Sequence, residues 1–574
     1  MGKEFHIKGS EKLLATIKSF SATEKFIFGI FVIMVIVSAL SLALKVNNLF
    51  LELVPARGGS LSEGIVGLPR YINPVLSFTD IDRDLSALVY AGLMKYDNGK
   101  IIPDLAEKYE VSADGLTYTF TLRKDLRFHD GIPLTADDVE FTIQKIKDSV
   151  IKSPRRADWA NVSIKKLEDG RIQFVLKQPY APFLANTTLG IIPKHIWSKV
   201  DADQFIYSQY NVNPVGAGPY KLTAIKHDSG GIPEYYSFTP FSRYHGGEVY
   251  ISNLYVYFYP NEKSAVEAYS SGTIEALAGI SPAEAAIIAS SSPSQSVLHT
   301  PLPRVFGIFF NQNQAPVLSQ IEVRQALNMV VDKNAIVKEV LGGYGVRSDS
   351  PLPAGKAKTV TTKSPDIEDA RALLAKTGWT LNGNGVLEKK DKKGVILQTL
   401  EFSISTVDAP DLKKAAELVK SQWELLGARV SIKVFEYGDL YQNIIATRKY
   451  DALLFGEFIG KDLDLYAFWH SSQRNAPGLN VAAYVNSKVD KLLDEARSTS
   501  DEKVRTAKYA EFEKIIQDDA PAVFLYSPEF IYTVPEKLRG MELGRISSPS
   551  DRFAKISTWY TTTSNVWKVF NPKN

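Results

Sequence analysis

The chain has 574 residues, 45% hydrophobic and 23% charged, a globular composition too long for one core, since single cores stop growing at about 250–300 residues. Its 67 basic and 64 acidic residues leave a net charge of +3 without a basic stripe, which excludes the electrostatic footprint of a nucleic-acid binder. Cysteine is absent, which removes disulfides, thiolate metal sites, cysteine nucleophiles and a lipid anchor on an N-terminal cysteine.

Residues 1–25 read as a polar leader carrying Lys3, Lys8, Lys12, Lys18 and Lys25. Phe26–Leu44 (FIFGIFVIMVIVSALSLAL) follows with no charge and no proline. At 1.5 Å per residue this run spans roughly 28 Å, close to the hydrocarbon thickness of a bilayer. The basic residues ahead of it place the leader in the cytoplasm and the remainder of the chain outside. A cleaved secretory signal is the competing reading; the long leader favours an uncleaved anchor. Residues 45–57 connect the anchor to the outer part, and VPARGGSLS (Val54–Ser62) has the composition of a linker.

Next, LSEGIVGLPRYINP reads as a short strand and a loop closed by Asn73-Pro74, and Asp82–Leu93 has helical spacing. In KYEVSADGLTYTFTLRKDLRF two strands flank an Asp-Gly turn. Tyr118, Phe120 and Leu122 fall on one face, Thr117, Thr119 and Thr121 on the other. FHDGIPLTADDVEFT (Phe128–Thr142) then sets His129 and Asp130 ahead of Asp137 and Asp138. Zinc sites and metal-assisted hydrolysis use such groups together. A structural reading is equally available: His129-Asp130-Gly131 as a turn, Thr135 as a helix N-cap, and both later aspartates in the first helical turn.

Further helices are read at Glu262–Ser271, Ile321–Leu341, Asp366–Ala375, Asp411–Leu426, Lys488–Arg497 and Glu502–Ile516. Strands are read at Ile172–Leu176, Leu254–Phe258, Phe306–Phe310, Leu400–Ser405, Ala428–Phe435 and Ala522–Leu525, an α/β mixture. SSSPSQS near Ser290 reads as a polar loop, and Asn382-Gly383-Asn384-Gly385 as a tight turn rather than a calcium loop. No two of His6, His129, His195, His227, His245, His299 and His470 have zincin spacing, and no nucleophile elbow, phosphate loop or dinucleotide glycine motif is present. Asp462 and Asp464 straddle one residue; with Glu457 they define a hydrolase alternative. The failures together point to binding rather than catalysis, with no catalytic residue, metal ligand or cofactor expected.

Several blocks carry a resemblance. LTYTFTLRKDLRFHDGIPLTADDVEFT has an F-x-D-G turn followed by T-A-x-D-V. NPVGAGPYKL (Asn213–Leu222) is similar to a P-V-G-T-G-P-Y stretch, with Ala217 in the Thr place. VRQALNMVVDKNAIVKEVLGGYG (Val323–Gly345), EDARALLAKTGW and YAEFEKIIQDDAPAVFLY add three more. In order, from about Ser60 to Tyr560, they resemble the extracytoplasmic solute-binding proteins of peptide-type ABC importers, the dipeptide- and oligopeptide-binding family 5. The resemblance implies a two-lobed periplasmic-binding-protein-like α/β fold with an extra domain and a cleft between lobes, here preceded by the transmembrane helix. Domain I would comprise 58–84, 206–298 and 517–574, domain II 85–205, and domain III 299–516. The lobes would close on the ligand by hinge bending and deliver it to a membrane permease and its ATPase.

That family holds the ligand's α-amino group with an aspartate in a G-W-x-x-D-like stretch. The corresponding run here is Gly456-Glu457-Phe458-Ile459-Gly460, with Glu457 in the Trp place and Gly460 in the Asp place. Asp462 or Glu457 would then substitute, or the ligand has no ammonium and is a sugar or another solute. The ligand-binding candidates are therefore Gly456, Glu457, Phe458, Asp462 and Asp464 on and after this stretch. To them are added Tyr71 and Asn73 after the first strand, Arg304 and Phe306 near a hinge, and Trp469 and Tyr484 as stacking platforms. Arg304 is a candidate partner for a ligand carboxylate. The expected protein is a monomeric, membrane-anchored, extracytoplasmic solute receptor and not an enzyme; a sensor or adhesion module with the same fold is the alternative.

Overall fold

The N-terminal apolar run folds as one helix, Ala22–Phe50, in the computed structural model, which describes residues 16–291, 295–354 and 365–570. Lys3, Lys8 and Lys12 of the leader, and residues 292–294 of the SSSPSQS stretch, lie outside the described residues. A capping box opens the helix: Ser21 N donates to Glu24 Oε2 at 2.7 Å, and Glu24 N to Ser21 Oγ at 3.4 Å. None of its 29 residues is buried, and it is long and apolar enough to cross a membrane. The strand Leu51–Ala56 follows and pairs antiparallel with Thr562–Trp567, Leu51 opposite Trp567. The expected linker is thus largely strand, because the returning chain end supplies hydrogen-bond partners for its backbone. Gly58 and Gly59 open the next strand, Gly58–Val66, with φ of 146° and 69°. The described residues up to Arg57 and from Thr562 form one compact unit; Gly58–Thr561 forms another.

A twelve-stranded sheet organises the larger unit. From one edge, its main path runs through Arg429–Phe435, Glu401–Val407, Ala452–Phe458, Arg304–Phe310 and Ala522–Pro535. It continues through Ala276–Ala278, Gly58–Val66, Ile251–Tyr259, Pro233–Pro240 and Tyr220–His227. The long strand Ala522–Pro535 belongs to both halves. Its start pairs with Arg304–Phe310, Ala522 opposite Phe309, and its end with Gln295–Pro301, Pro535 opposite Gln295. Strand alternation distributes its side chains among separate cores. Val523 and Leu525 pack with Trp423, whereas Ala522 and Phe524 pack with Trp469 and Phe512. Further on, Phe530, Tyr532 and Val534 enter the core that also holds Leu61, Phe120 and Trp559. A separate four-stranded sheet, Ala106–Val111, Thr117–Leu122, Ile172–Leu176 and Val162–Lys166, buries Tyr118 and Phe120 on one face as the alternation requires.

Most of the helices shift by one to three residues from their sequence reading, and two differ more. Asp82–Leu93 is instead Asp80–Val89, because Thr79 is the N-cap and Asp82 closes its capping box. Ile321–Leu341 is two helices, Ile321–Met329 and Lys333–Leu341, because Asp332 caps the second by accepting from Ala335 N at 3.0 Å.

The His129–Asp138 stretch is structural. Thr135 and Asp138 form a capping box, and the second Asp138 oxygen accepts from Lys194 N at 2.9 Å. Asp137 pairs with Lys166 at 2.5 Å, and Asp130 with His195 at 2.7 Å. His129 Nε2 lies 3.1 Å from Gly218 O, and Gly216 N donates to Nδ1 at 3.4 Å, an arrangement that requires neutral imidazole. Burial pushes its pKa down to about 4. The ring thereby ties the F-x-D-G turn to the N-P-V-G-A-G-P-Y loop. That loop lies on the end of the helix Asp80–Val89: a Cβ on Gly216 would stand 2.1 Å from Val89 O.

Candidate functional site

A cavity of about 530 Å³ lies where three parts of the larger unit converge. One wall comes from the helix Asp80–Val89 and from residues 547–554; a second from residues 155–190; a third from Pro303, Arg304 and the segment Phe458–Asp464. The first wall is held by a buried ion network. Arg552 Nη2 donates to Glu63 Oε1 at 2.6 Å and to Asp84 Oδ2 at 2.7 Å, and the Tyr532 hydroxyl donates to Glu63 Oε2 at 2.9 Å. Arg552 and Glu63 are fully buried, and the pair joins elements that are 489 residues apart in the chain. Burial raises the Asp84 carboxyl to about 6 although Arg552 attracts its charge. Through this network the helix bearing Asp80 and Arg83 and the turn bearing Asp551 and Phe553 become one rigid wall.

The second and third walls touch each other. The Tyr180 hydroxyl donates to Asp464 Oδ2 at 3.3 Å, and Ala181 N donates to Arg497 O at 2.9 Å. Arg497 pairs with Asp464 at 3.1 Å and lies over the rings of Tyr180 and Tyr466, 4.9 Å and 4.4 Å from their centroids. Lys461 reaches Thr188 Oγ1 at 3.1 Å and Asp551 at 3.5 Å.

Four of the eleven sequence candidates line this cavity: Arg304, Phe458, Asp462 and Asp464. The structure places the others elsewhere. Strand alternation decides the central stretch: Gly456 packs under the Phe306 ring, Glu457 turns to Trp469, and only Phe458, at the strand end, reaches the cleft. Phe306 stacks on Tyr526 at 5.3 Å. Glu457 is 2% exposed; its Oε2 accepts from Trp469 Nε1 at 3.2 Å while Oε1 has no partner. Burial pushes its pKa up to about 8. Trp469 is itself a core residue, beside Tyr484, whose hydroxyl donates to Asp519. Asn73 is buried, its Nδ2 donating to Asn211 Oδ1 at 2.9 Å and its Oδ1 accepting from Val75 N at 2.9 Å. Tyr71 borders a separate cavity of about 370 Å³ with Leu76 and Phe78.

Gly460 lines the cavity and brings no side chain to it; the next residue, Lys461, brings a cation. Asp462 is paired with Arg505 at 3.2 Å. The place where the resemblance expects a carboxylate for an ammonium therefore holds a glycine followed by a lysine. Sequence reading missed Arg83, Arg155, Tyr180, Lys461 and Asp551. The Arg155-Arg156 pair beside Trp159, and a lysine directly after Gly460, were the local signals available.

Among the described residues no group of three or more His, Asp or Glu side chains is placed to hold a metal ion. The family model for bacterial extracellular solute-binding proteins, family 5 (middle), matches residues 100–478. The oligopeptide-binding protein AppA of Bacillus subtilis (strain 168) is 28% identical over 521 residues, covering 88% of this chain and 92% of that protein. The dipeptide-binding protein of Escherichia coli (strain K12) is 26% identical over 505 residues, covering 83% and 90%. Among solved structures, the ABC transporter substrate-binding protein CtaP of Listeria monocytogenes aligns with a TM-score of 0.74 at 26% identity, covering 88% of this chain and 100% of that one. The residues that the family model matches include two of the three cavity walls, from Arg155 through Arg304 to Asp464, and the two-lobed α/β fold with its extra domain is shared along the aligned length. The chain belongs to the bacterial extracellular solute-binding proteins of family 5.

Proposed function

We propose that this protein is the membrane-anchored extracytoplasmic receptor of an ABC importer, which captures a peptide or similar small solute in the cavity and delivers it to a permease. The observation that carries this reading is a cavity of about 530 Å³ built from three walls, two of which are joined by the contacts of Tyr180 with Asp464 and Arg497. That volume lies within the range of small-molecule sites. Arg304, Phe458, Asp462 and Asp464 are the sequence candidates we assign to ligand contact. Domains I, II and III keep the bounds given above as far as Thr561, beyond which the chain belongs to the smaller unit, and Ala22–Phe50 holds the receptor at the membrane as a monomer. The work of the site is binding: the ligand favours the closed arrangement and shifts its population.

The test is thermal unfolding of the full chain in detergent against di-, tri- and oligopeptides, their N-acetylated forms and oligosaccharides. A ligand at 100 times its dissociation constant adds about 2.7 kcal/mol. Stabilisation by free and acetylated peptides alike is the expected result, since no carboxylate stands at Gly460. Stabilisation by sugars alone would replace the peptide with another solute. A flat response to the whole panel would favour a sensor or adhesion module. The anchor is tested separately: the chain should stay with membranes after alkaline carbonate washing and leave them when residues 26–44 are deleted.

A further inference from the structure

The charged side chains around the cavity are paired, with one exception. Lys95 faces Asp104 at 3.9 Å, Lys461 faces Asp551 at 3.5 Å, Asp462 faces Arg505 at 3.2 Å, and Asp464 faces Arg497 at 3.1 Å. Arg83 donates to Asp80 at 2.8 Å, and Arg155 lies 3.8 Å from Asp158. Among the described residues, only Arg304 lines the cavity with a guanidinium that has no hydrogen bond and no ion pair; its one close partner is the Phe458 ring, 4.5 Å away.

Arg304 is not a solvated surface arginine. Burial lowers its pKa, Asp80 attracts it from beyond ion-pair distance, and Arg83 repels it. Arg83 also repels Arg155, whose pKa burial lowers likewise, and all three arginines line the same cavity. Two carboxylates, Asp80 and Asp158, face these three cations. One positive charge is therefore left partly desolvated without a counter-charge, a state that proteins avoid unless a ligand completes it. Arg83 Nε adds a second opening: it is buried and has no hydrogen-bond partner. Phe458 covers the face of the Arg304 guanidinium and leaves the N–H edge, the side that grips a two-oxygen anion in bidentate fashion.

We infer that the cleft carries an oxyanion subsite formed by Arg304 with Arg83 and Arg155, and that the imported solute is selected by a carboxylate or phosphate group rather than by an ammonium. The inference rests on reading this cavity as the solute site and names the chemistry of the solute. Each arginine comes from a different wall of the cavity: Arg83 is on the helix Asp80–Val89, Arg155 on the second wall and Arg304 on the third. An oxyanion at their junction would tie the three walls together, so recognition and closure become one event.

The test is titration calorimetry and thermal unfolding of the full chain in detergent, at constant ionic strength, with trialanine, its C-terminal amide, N-acetyl-trialanine, citrate and inorganic phosphate. Trialanine and its N-acetyl form should bind alike, and the amide about tenfold or more weakly. Arg304→Gln should abolish the difference between acid and amide, and Arg304→Lys should keep part of it. Should Arg304→Gln fail to fold, Arg83→Gln provides the same comparison. Equal affinity for acid and amide in the wild type would overturn the subsite and leave the peptide receptor standing. If no peptide binds, citrate and phosphate decide. Stabilisation of the wild type that is lost in Arg304→Gln upholds the subsite and removes peptides as the solute, whichever of the two anions acts. An equal response of wild type and Arg304→Gln to both anions, including none, overturns it.

Discussion

A carboxyl on a strand that passes from core to cleft has its charge state set by the side it faces. Glu457 faces Trp469 and the core, and burial holds its pKa at about 8, against an ordinary value of 4.5. The folded chain therefore binds a proton at neutral pH that the unfolded chain has released. Glu457 contributes stability that is fully present below the unfolded value and is lost as pH rises from about 4.5 to about 8. A shift of this size is worth on the order of 5 kcal/mol at about 1.4 kcal/mol per pH unit. Glu457→Gln, which keeps an acceptor for Trp469 Nε1, should match the wild type in urea midpoint at pH 4 and exceed it increasingly up to pH 8. A gap that does not change with pH would mean that this carboxyl is solvated. Arg552 presents the opposite case, a buried cation with two carboxylates. Arg552→Met leaves Glu63 and Asp84 without their counter-charge and should cost about 3–5 kcal/mol in denaturant unfolding. Neither environment was legible in the sequence. Arg304 could be singled out as near a hinge and Phe458 by the resemblance of its stretch, but Arg83 and Arg155 acquire meaning only when the fold brings distant segments to one cavity.

The local blocks of the chain were read most faithfully where periodicity and capping agree. Ile172–Leu176 is a strand with the same bounds, and Thr135 caps its helix as the spacing required. The strand Ala522–Pro535 was legible only to Leu525, because Ser527, Pro528 and Glu529 interrupt the apolar pattern at the point where the strand passes from one half of the sheet to the other. Val54–Ser62 looked like a linker because strands that pair with sequence-distant partners need no apolar period of their own. Glycines with steric rather than conformational roles carry a further element-scale consequence. Gly216 lies against the carbonyl of Val89, and an added Cβ would meet it at 2.1 Å, backbone against backbone. Gly216→Ala should therefore push the N-P-V-G-A-G-P-Y loop off the helix Asp80–Val89, at a cost of about 1–3 kcal/mol. Gly383→Ala, where nothing lies within 4 Å, is the matched control. Loss of stability in the first variant and not the second, by thermal unfolding, would confirm that the loop is seated by close approach; equal behaviour would refute it.

At the scale of the molecule, affinity depends on the closed arrangement as much as on contacts with the solute. Arg497 does not line the cavity, yet it joins two walls: its carbonyl accepts from Ala181, its guanidinium pairs with Asp464, and it stacks on Tyr180. A partly buried ion pair and a cation–π contact are each worth about 0.5–1 kcal/mol. Arg497→Ala keeps the backbone hydrogen bond and removes the side-chain contacts with Asp464, Tyr180 and Tyr466. It should shift the unliganded receptor toward the open form and weaken any solute that binds across the cleft by about five- to tenfold. The loss should appear chiefly in the dissociation rate, because the contact that holds the two walls together over the solute is gone. Small-angle scattering of the full chain in detergent would show a larger radius of gyration for Arg497→Ala without solute and the same radius as wild type at saturation. A variant that binds as tightly as wild type, with an unchanged radius in both states, would place the control of closure elsewhere than at this contact.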